Sequence, residues 1–182
     1  MPIFWFMHSA EADESVILVD AADRPIGSAP KLDVHRDGRL HRAFSVFVFD
    51  PRGRLLLQRR ALGKYHSGGL WSNTCCGHPR PGEATAAAAA RRLREEMGFG
   101  CSLQPAGTIV YRAALAEGLW EHEYDHLFTG RYNGDPRPDP SEVAEWRWVE
   151  MNDLLRELGD RPSSFTVWFE PALREVLQRI AA

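Results

Sequence analysis

Glu121 and Glu123 lie in Trp120 to Phe128, an apolar and aromatic run that reads as a strand. Side chains alternate along a strand, so both carboxylates face one side and His122 the other. Two like charges held that close cost free energy unless a cation lies between them. On an open strand face the same pair would simply be solvated. Cys76 and His78 are also two apart. In an extended segment both reach one cavity while Cys75 points away. A free thiol, with a pKa of ~8.5, keeps its proton near neutral pH unless its surroundings shift it. On a helix, Arg91 and Glu95 share a face, as do Arg92 and Glu96. Such pairs are ordinary on solvated helices. A guanidinium fork is equally suited to clamping phosphate oxygens.

The elements that must hold these groups are legible in outline. Val16 to Val19 reads as a short strand and 23–30 as turn residues. Ala43 to Phe49 reads as a buried strand, joined by Asp50-Pro51-Arg52-Gly53 to a second at Leu55 to Gln58, which predicts a hairpin. Gly68 to Gly82 reads as loop. Glu83 to Met97 is the clearest helix, with an alanine run inside and Gly98 at its end. Thr108 to Arg112, Trp120 to Phe128 and Glu145 to Val149 read as strands. Asn152 to Leu158 and Pro171 to Ile180 read as helices. Strands with interspersed helices predict an α/β (α+β) mixed-sheet sandwich flanked by helices.

A chain of 182 residues fits one domain spanning 1–182, with 1–15 as an N-terminal extension. Met1 to Met7 is apolar and aromatic, too short to cross a membrane and without the basic start of a secretory signal. It reads as a terminal strand or a covering tail. A net charge of −3 argues against a nucleic-acid partner, so an anionic ligand needs a local basic cluster. Three cysteines without framework spacing suggest free thiols in a reducing, cytoplasmic setting.

Gly77 to Phe99 resembles the Nudix box, G-x5-E-x7-R-E-U-x-E-E-x-G-U with U apolar. Gly77, Glu83, Arg91, Leu93, Glu95, Glu96, Gly98 and Phe99 all fall in place. Arg92 stands where the box has glutamate. That exchange removes a metal-side carboxylate and adds a phosphate clamp, so the site should bind a diphosphate without being suited to hydrolyse it. Further stretches narrow the resemblance. Leu70-Trp71-Ser72-Asn73-Thr74-Cys75-Cys76-Gly77-His78-Pro79, Glu121-His122-Glu123 and Phe165-Thr166-Val167-Trp168 resemble type 1 isopentenyl-diphosphate isomerases, a branch of the Nudix fold. The likeness runs from about Val16 to Trp168.

The resemblance implies an isomerase that interconverts isopentenyl and dimethylallyl diphosphate through a tertiary carbocation. It implies that His35, His41, His78, Glu121 and Glu123 bind a metal, with Mg²⁺, Mn²⁺ or Zn²⁺ all suited to the mixed His3Glu2 shell. His8, His66, His122 and His126 fall outside the matched positions. Cys76 and Glu123 would handle the two protons, with Glu123 favoured as donor and Cys76 as base in the forward direction. Tyr111 would hydrogen-bond Glu123. Trp168 would face the cation, an interaction of ~2 kcal/mol or more when desolvated. Lys31, Arg60, Lys64 and Arg92 match the anion-binding positions, and Glu96 would hold a second Mg²⁺ bridging the diphosphate. The partner would be a small molecule, with no membrane insertion, on a monomer or homodimer. The competing readings are a Nudix hydrolase of a nucleoside diphosphate derivative and a non-catalytic Nudix-like binding domain.

Overall fold

A computed structural model describes residues 14–181, so Met1 to Met7 and His8 lie outside the described residues. In chain order the strands are β1 (Ser15–Val19), β2 (Pro25–Pro30), β3 (His41–Phe49), β4 (Leu55–Arg60), β5 (Trp71–Ser72), β6 (Cys75–Gly77), β7 (Leu103–Ala114), β8 (Trp120–Arg131) and β9 (Val143–Val149). The helices are α1 (Lys31–Asp37), α2 (Thr85–Met97), α3 (Met151–Asp160) and α4 (Phe169–Ala181).

The strands form one mixed sheet centred on β3. β3 runs parallel to β8 from His41↔Glu123 to Phe49↔Arg131 and antiparallel to the short β6. β7 lies antiparallel beside β8, and β9 beside β4. Helices cover both faces. Phe47, Leu55 and Leu57 pack with Leu154, Phe169 and Leu173 of α3 and α4. Phe44, Val46, Val48 and Leu56 pack with Ala88, Leu93 and Met97 of α2. A strand buried on both faces needs no polar alternation, which is why 43–49 is apolar apart from Ser45, whose hydroxyl donates to Asp125 Oδ2 at 2.8 Å. Among the described residues no helix is long and apolar enough to cross a membrane.

Two stretches depart from expectation, and one helix had none. The 23–30 stretch is not all turn: the turn ends near Arg24, and 25–30 is β2, paired antiparallel with β1. β2 is a largely exposed edge strand with proline at both ends, so it lacks an apolar pattern to announce it. Residues 31–37 form α1, which ends at Gly38 in the left-handed region (φ 64°). The β3–β4 hairpin pairs only at Phe49↔Leu55. Beyond that the strands part around Thr74, whose Oγ1 accepts from Val48 N (2.9 Å) and donates to Leu56 O (2.7 Å). That wedge places β6, inside the expected 68–82 loop, against β3.

Candidate active site

α1, the start of β3, β6 and β8 converge on one buried cluster. His35 comes from α1, His41 from β3, His78 follows β6, and Glu121 and Glu123 come from β8. Strand alternation on β8 is as expected: Glu121, Glu123 and Asp125 are buried, while His122 and His126 turn away to Gly38 O and Asp23. The parallel pairing of His41 with Glu123 brings the imidazole to the carboxylate. His78 Nε2 lies 2.8 Å from Glu123 Oε1 and 3.2 Å from His41 Nε2. One ligand atom each of His35, His41, His78 and Glu123 falls within 4.8 Å of the others. Glu121 stands just beside this group, with Oε2 3.4 Å from His35 Nε2.

The tautomers follow from the backbone. His35 Nδ1 lies 2.7 Å from Lys31 O, and His41 Nδ1 2.9 Å from Arg39 O. A carbonyl only accepts, so each Nδ1 carries the proton and each Nε2 presents a lone pair. His35 Nε2 and Glu121 Oε2 are both buried without a hydrogen-bond partner in the protein. Two facing lone pairs repel unless a cation joins them. Adjacent donors around an octahedral ion with ~2.1 Å bonds stand roughly 3 Å apart, close to these spacings. Protonation points the same way. Burial drives His78 down to about 3, and burial also lowers His35, so both rings are neutral. Burial, together with the charge on Glu123, pushes Glu121 well above the usual carboxylate range. Burial opposes the charge on Glu123 too, and it is held low only where a proton on the His41 or His78 ring, or a cation in its place, faces it. Ionising both carboxylates therefore calls for a positive charge between them, and the donor set fits a divalent cation.

A narrow cavity opens beside this cluster. Its walls include Cys76, Tyr111, Trp168, Glu121 and Glu123, together with the cations Lys31, Arg60, Lys64 and Arg92. The extended β6 turns Cys76 to the cavity and Cys75 into the apolar core. Burial pushes the Cys76 thiol up to about 12, although Arg60, with Nη1 3.8 Å from Sγ, pulls the other way. Tyr111 donates to Glu123 Oε2 at 2.6 Å. Trp168 is buried, its Nε1 donating to Asn73 Oδ1 at 3.3 Å, and the Arg60 guanidinium lies 5.5 Å from its ring centre.

The NUDIX domain family matches residues 39–169. The chain is 60% identical over 157 residues to the isopentenyl-diphosphate Delta-isomerase of Burkholderia multivorans, covering 86% of this chain and 89% of that one. It is 52% identical to the Serratia proteamaculans protein of the same name, covering 90% and 92%. This chain belongs to the isopentenyl-diphosphate Delta-isomerase family, within the Nudix fold. A solved Deinococcus radiodurans structure shares the fold at TM-score 0.69 and 19% identity, covering 81% of this chain and 90% of that one. A Methanosarcina mazei MutT protein does so at 0.59 and 22%, covering 78% and 93%.

In this isomerase-family chain the Nudix box carries a network of its own. Arg91 donates to both oxygens of Glu83 (2.8 and 2.9 Å) and also reaches Glu95. Arg92 Nη2 donates to Glu96 Oε1 at 2.7 Å and Glu142 Oε1 at 3.0 Å, and Lys64 also pairs with Glu142. Glu96 is buried, its second oxygen accepting from Gln58 Nε2 at 3.2 Å. Glu142 and His66 are site residues that the sequence reading did not assign. Glu142 lies in a loop far along the chain, with no local pattern around it. His66 Nε2 lies 3.3 Å from Glu121 Oε1. Its place two residues after Lys64 was the only local signal.

The hydrogen bond to Arg91 holds Glu83 down to about 2, from an ordinary value of 4.5. A depressed carboxylate adds stability above its unfolded pKa and loses it as pH falls toward the folded value. Glu83→Gln is therefore expected to cost ~1–3 kcal/mol in urea unfolding at pH 7. The gap from the parent should shrink by roughly half or more by pH 3. An equal gap at both pH values would show that the pair contributes no charge-dependent stability.

Proposed function

We propose that this chain interconverts isopentenyl diphosphate and dimethylallyl diphosphate. The observation that carries the reading is a single cavity with a thiol, a cation-ready carboxylate, an indole and four basic side chains on its walls. Lys31, Arg60, Lys64 and Arg92 would receive the diphosphate, and the five-carbon chain would run inward between Cys76 and Glu123. A proton added to the terminal methylene leaves a tertiary cation, and loss of a proton from the neighbouring carbon completes the shift. Trp168 is buried and would present its indole face to that cation. Enclosure matters because water would capture the intermediate.

His35, His41, His78, Glu121 and Glu123 would hold a divalent ion, with Mg²⁺, Mn²⁺ or Zn²⁺ all suited to the shell. Bound there, the ion would favour ionised Glu123 and fix its orientation. Glu96 would carry a Mg²⁺ that bridges the diphosphate. The thiol and Glu123 must hold opposite protonation states. Without an ion, Cys76 keeps its proton, and Glu123 is ionised where a proton on the His41 or His78 ring faces it. The forward assignment from the resemblance, Glu123 as donor, needs the reverse pair, and Arg60 beside the sulfur would ease it.

The decisive test is proton NMR of isopentenyl diphosphate with the protein and Mg²⁺ in D₂O. Deuterium uptake with a shifted alkene signal is expected, and an unchanged spectrum would refute the reading. Chelation should lower turnover by about 100-fold or more, with recovery on adding Mg²⁺ or Mn²⁺. Full activity of a rigorously metal-free sample would rule out the ion. Hydrolysis of a nucleoside diphosphate derivative is the weaker reading, because Arg92 stands where the Nudix box has a metal-side glutamate.

A further inference from the structure

His66 occupies the 61–70 loop between β4 and β5, outside the residues the resemblance assigns. Its side chain is almost fully buried, with Nε2 3.3 Å from Glu121 Oε1. Nδ1 lies 3.2 Å from the Ser67 hydroxyl, and the carbonyl accepts from Arg60 Nη2 at 3.3 Å. The ring is braced by the Tyr65 ring at 4.4 Å and stacks near His35 at 5.7 Å. Ser67 holds φ at 53°, a left-handed conformation that non-glycine residues seldom adopt. Such strain persists where the surrounding structure over-determines it.

The ring of His66 stands within ligand distance of Glu121 and His35, beside the cluster of His35, His41, His78 and Glu123. With Glu121 ionised, as a bound cation would make it, Oε1 accepts and Nε2 carries the proton, and the Ser67 hydroxyl can donate to the bare Nδ1. Glu121 Oε1 is thus engaged, and only Oε2, which has no protein partner, is left facing His35. A carboxylate held by one oxygen presents the other in a fixed direction.

We propose that His66 is a positioning residue for the metal centre, holding Glu121 through Nε2–H so that Oε2 is aimed at the ion. The proposal rests on the metal reading given above. Partners of this kind typically change metal affinity by about 10–100-fold when removed.

Mn²⁺ binding to the full chain without substrate, read from the electron spin resonance of free Mn²⁺, tests it independently of turnover. Two polar variants keep the loop solvated alike. His66→Asn retains a polar atom near Nδ1 but stops short of Glu121. His66→Gln can place an N–H near the position of Nε2. Mn²⁺ binding by His66→Asn should weaken about 10–100-fold, while His66→Gln stays within about threefold of the parent. Parent-like binding by His66→Asn, or equal weakening in both variants, would overturn the proposal. Glu121→Gln separates the two layers of inference. Lost binding there with unchanged binding in His66→Asn removes only the role of His66. No Mn²⁺ binding by the parent, or none lost in Glu121→Gln, removes the metal reading and this proposal with it.

Discussion

Cys76→Ala is expected to lower isomerisation by roughly 10²–10⁴-fold, the usual range for removing a group that transfers a proton in the rate-limiting step. Alanine offers no proton and no lone pair on that wall of the cavity. Substrate binding should survive, because Lys31, Arg60, Lys64 and Arg92 are untouched. The expected signature in steady-state kinetics is a collapse of kcat with calorimetric affinity for isopentenyl diphosphate within a few-fold of the parent. Cys75→Ala is the internal control. Cys75 packs with Phe44, Ala88 and Leu93, so its loss should lower stability while kcat holds. A Cys76→Ala protein that turns over normally would remove the thiol from the mechanism.

Glu123→Gln should fail in two ways at once. The amide keeps the size of the carboxyl but loses the charge that faces His41 and His78, and it cannot take up or release the proton. Mn²⁺ affinity is expected to fall by at least about 10–100-fold. Turnover should fall by roughly 10²–10⁴-fold even at saturating metal. The second effect distinguishes Glu123 from a ligand that only binds. If excess Mn²⁺ restored full turnover, Glu123 would be a ligand and nothing more. Tyr111 need not leave its place, since its hydroxyl can still donate to the amide oxygen. A gross change in circular dichroism is therefore not expected.

Much of the site was legible because its members share elements with fixed periods. The two-residue period of β8 put Glu121 and Glu123 on one face, and the same period separated Cys76 from Cys75. The helical period of α2 set Arg91 over Glu95 and Arg92 over Glu96. The alanine run and the terminal Gly98 identified the helix itself, although it begins at Thr85 instead of Glu83. Glu83 instead precedes the helix and is held by Arg91.

Other features had no such code. α1 is a single short segment, β2 an edge strand, and β6 three residues anchored by Thr74, so none carries a long enough pattern to be read locally. Glu142 reaches Arg92 and Lys64 across the chain, and His66 reaches Glu121 from a loop. Periodicity tells which way a side chain points within its own element. Where that element comes to rest depends on long-range pairing, above all β3 against β8 and β6. The sequence, through its residue types and the resemblance they carry, nominated residues for an ion, a diphosphate and a proton. Only the tertiary structure decided which oxygen of Glu121 is free and which loop restrains it, because packing between distant segments sets both.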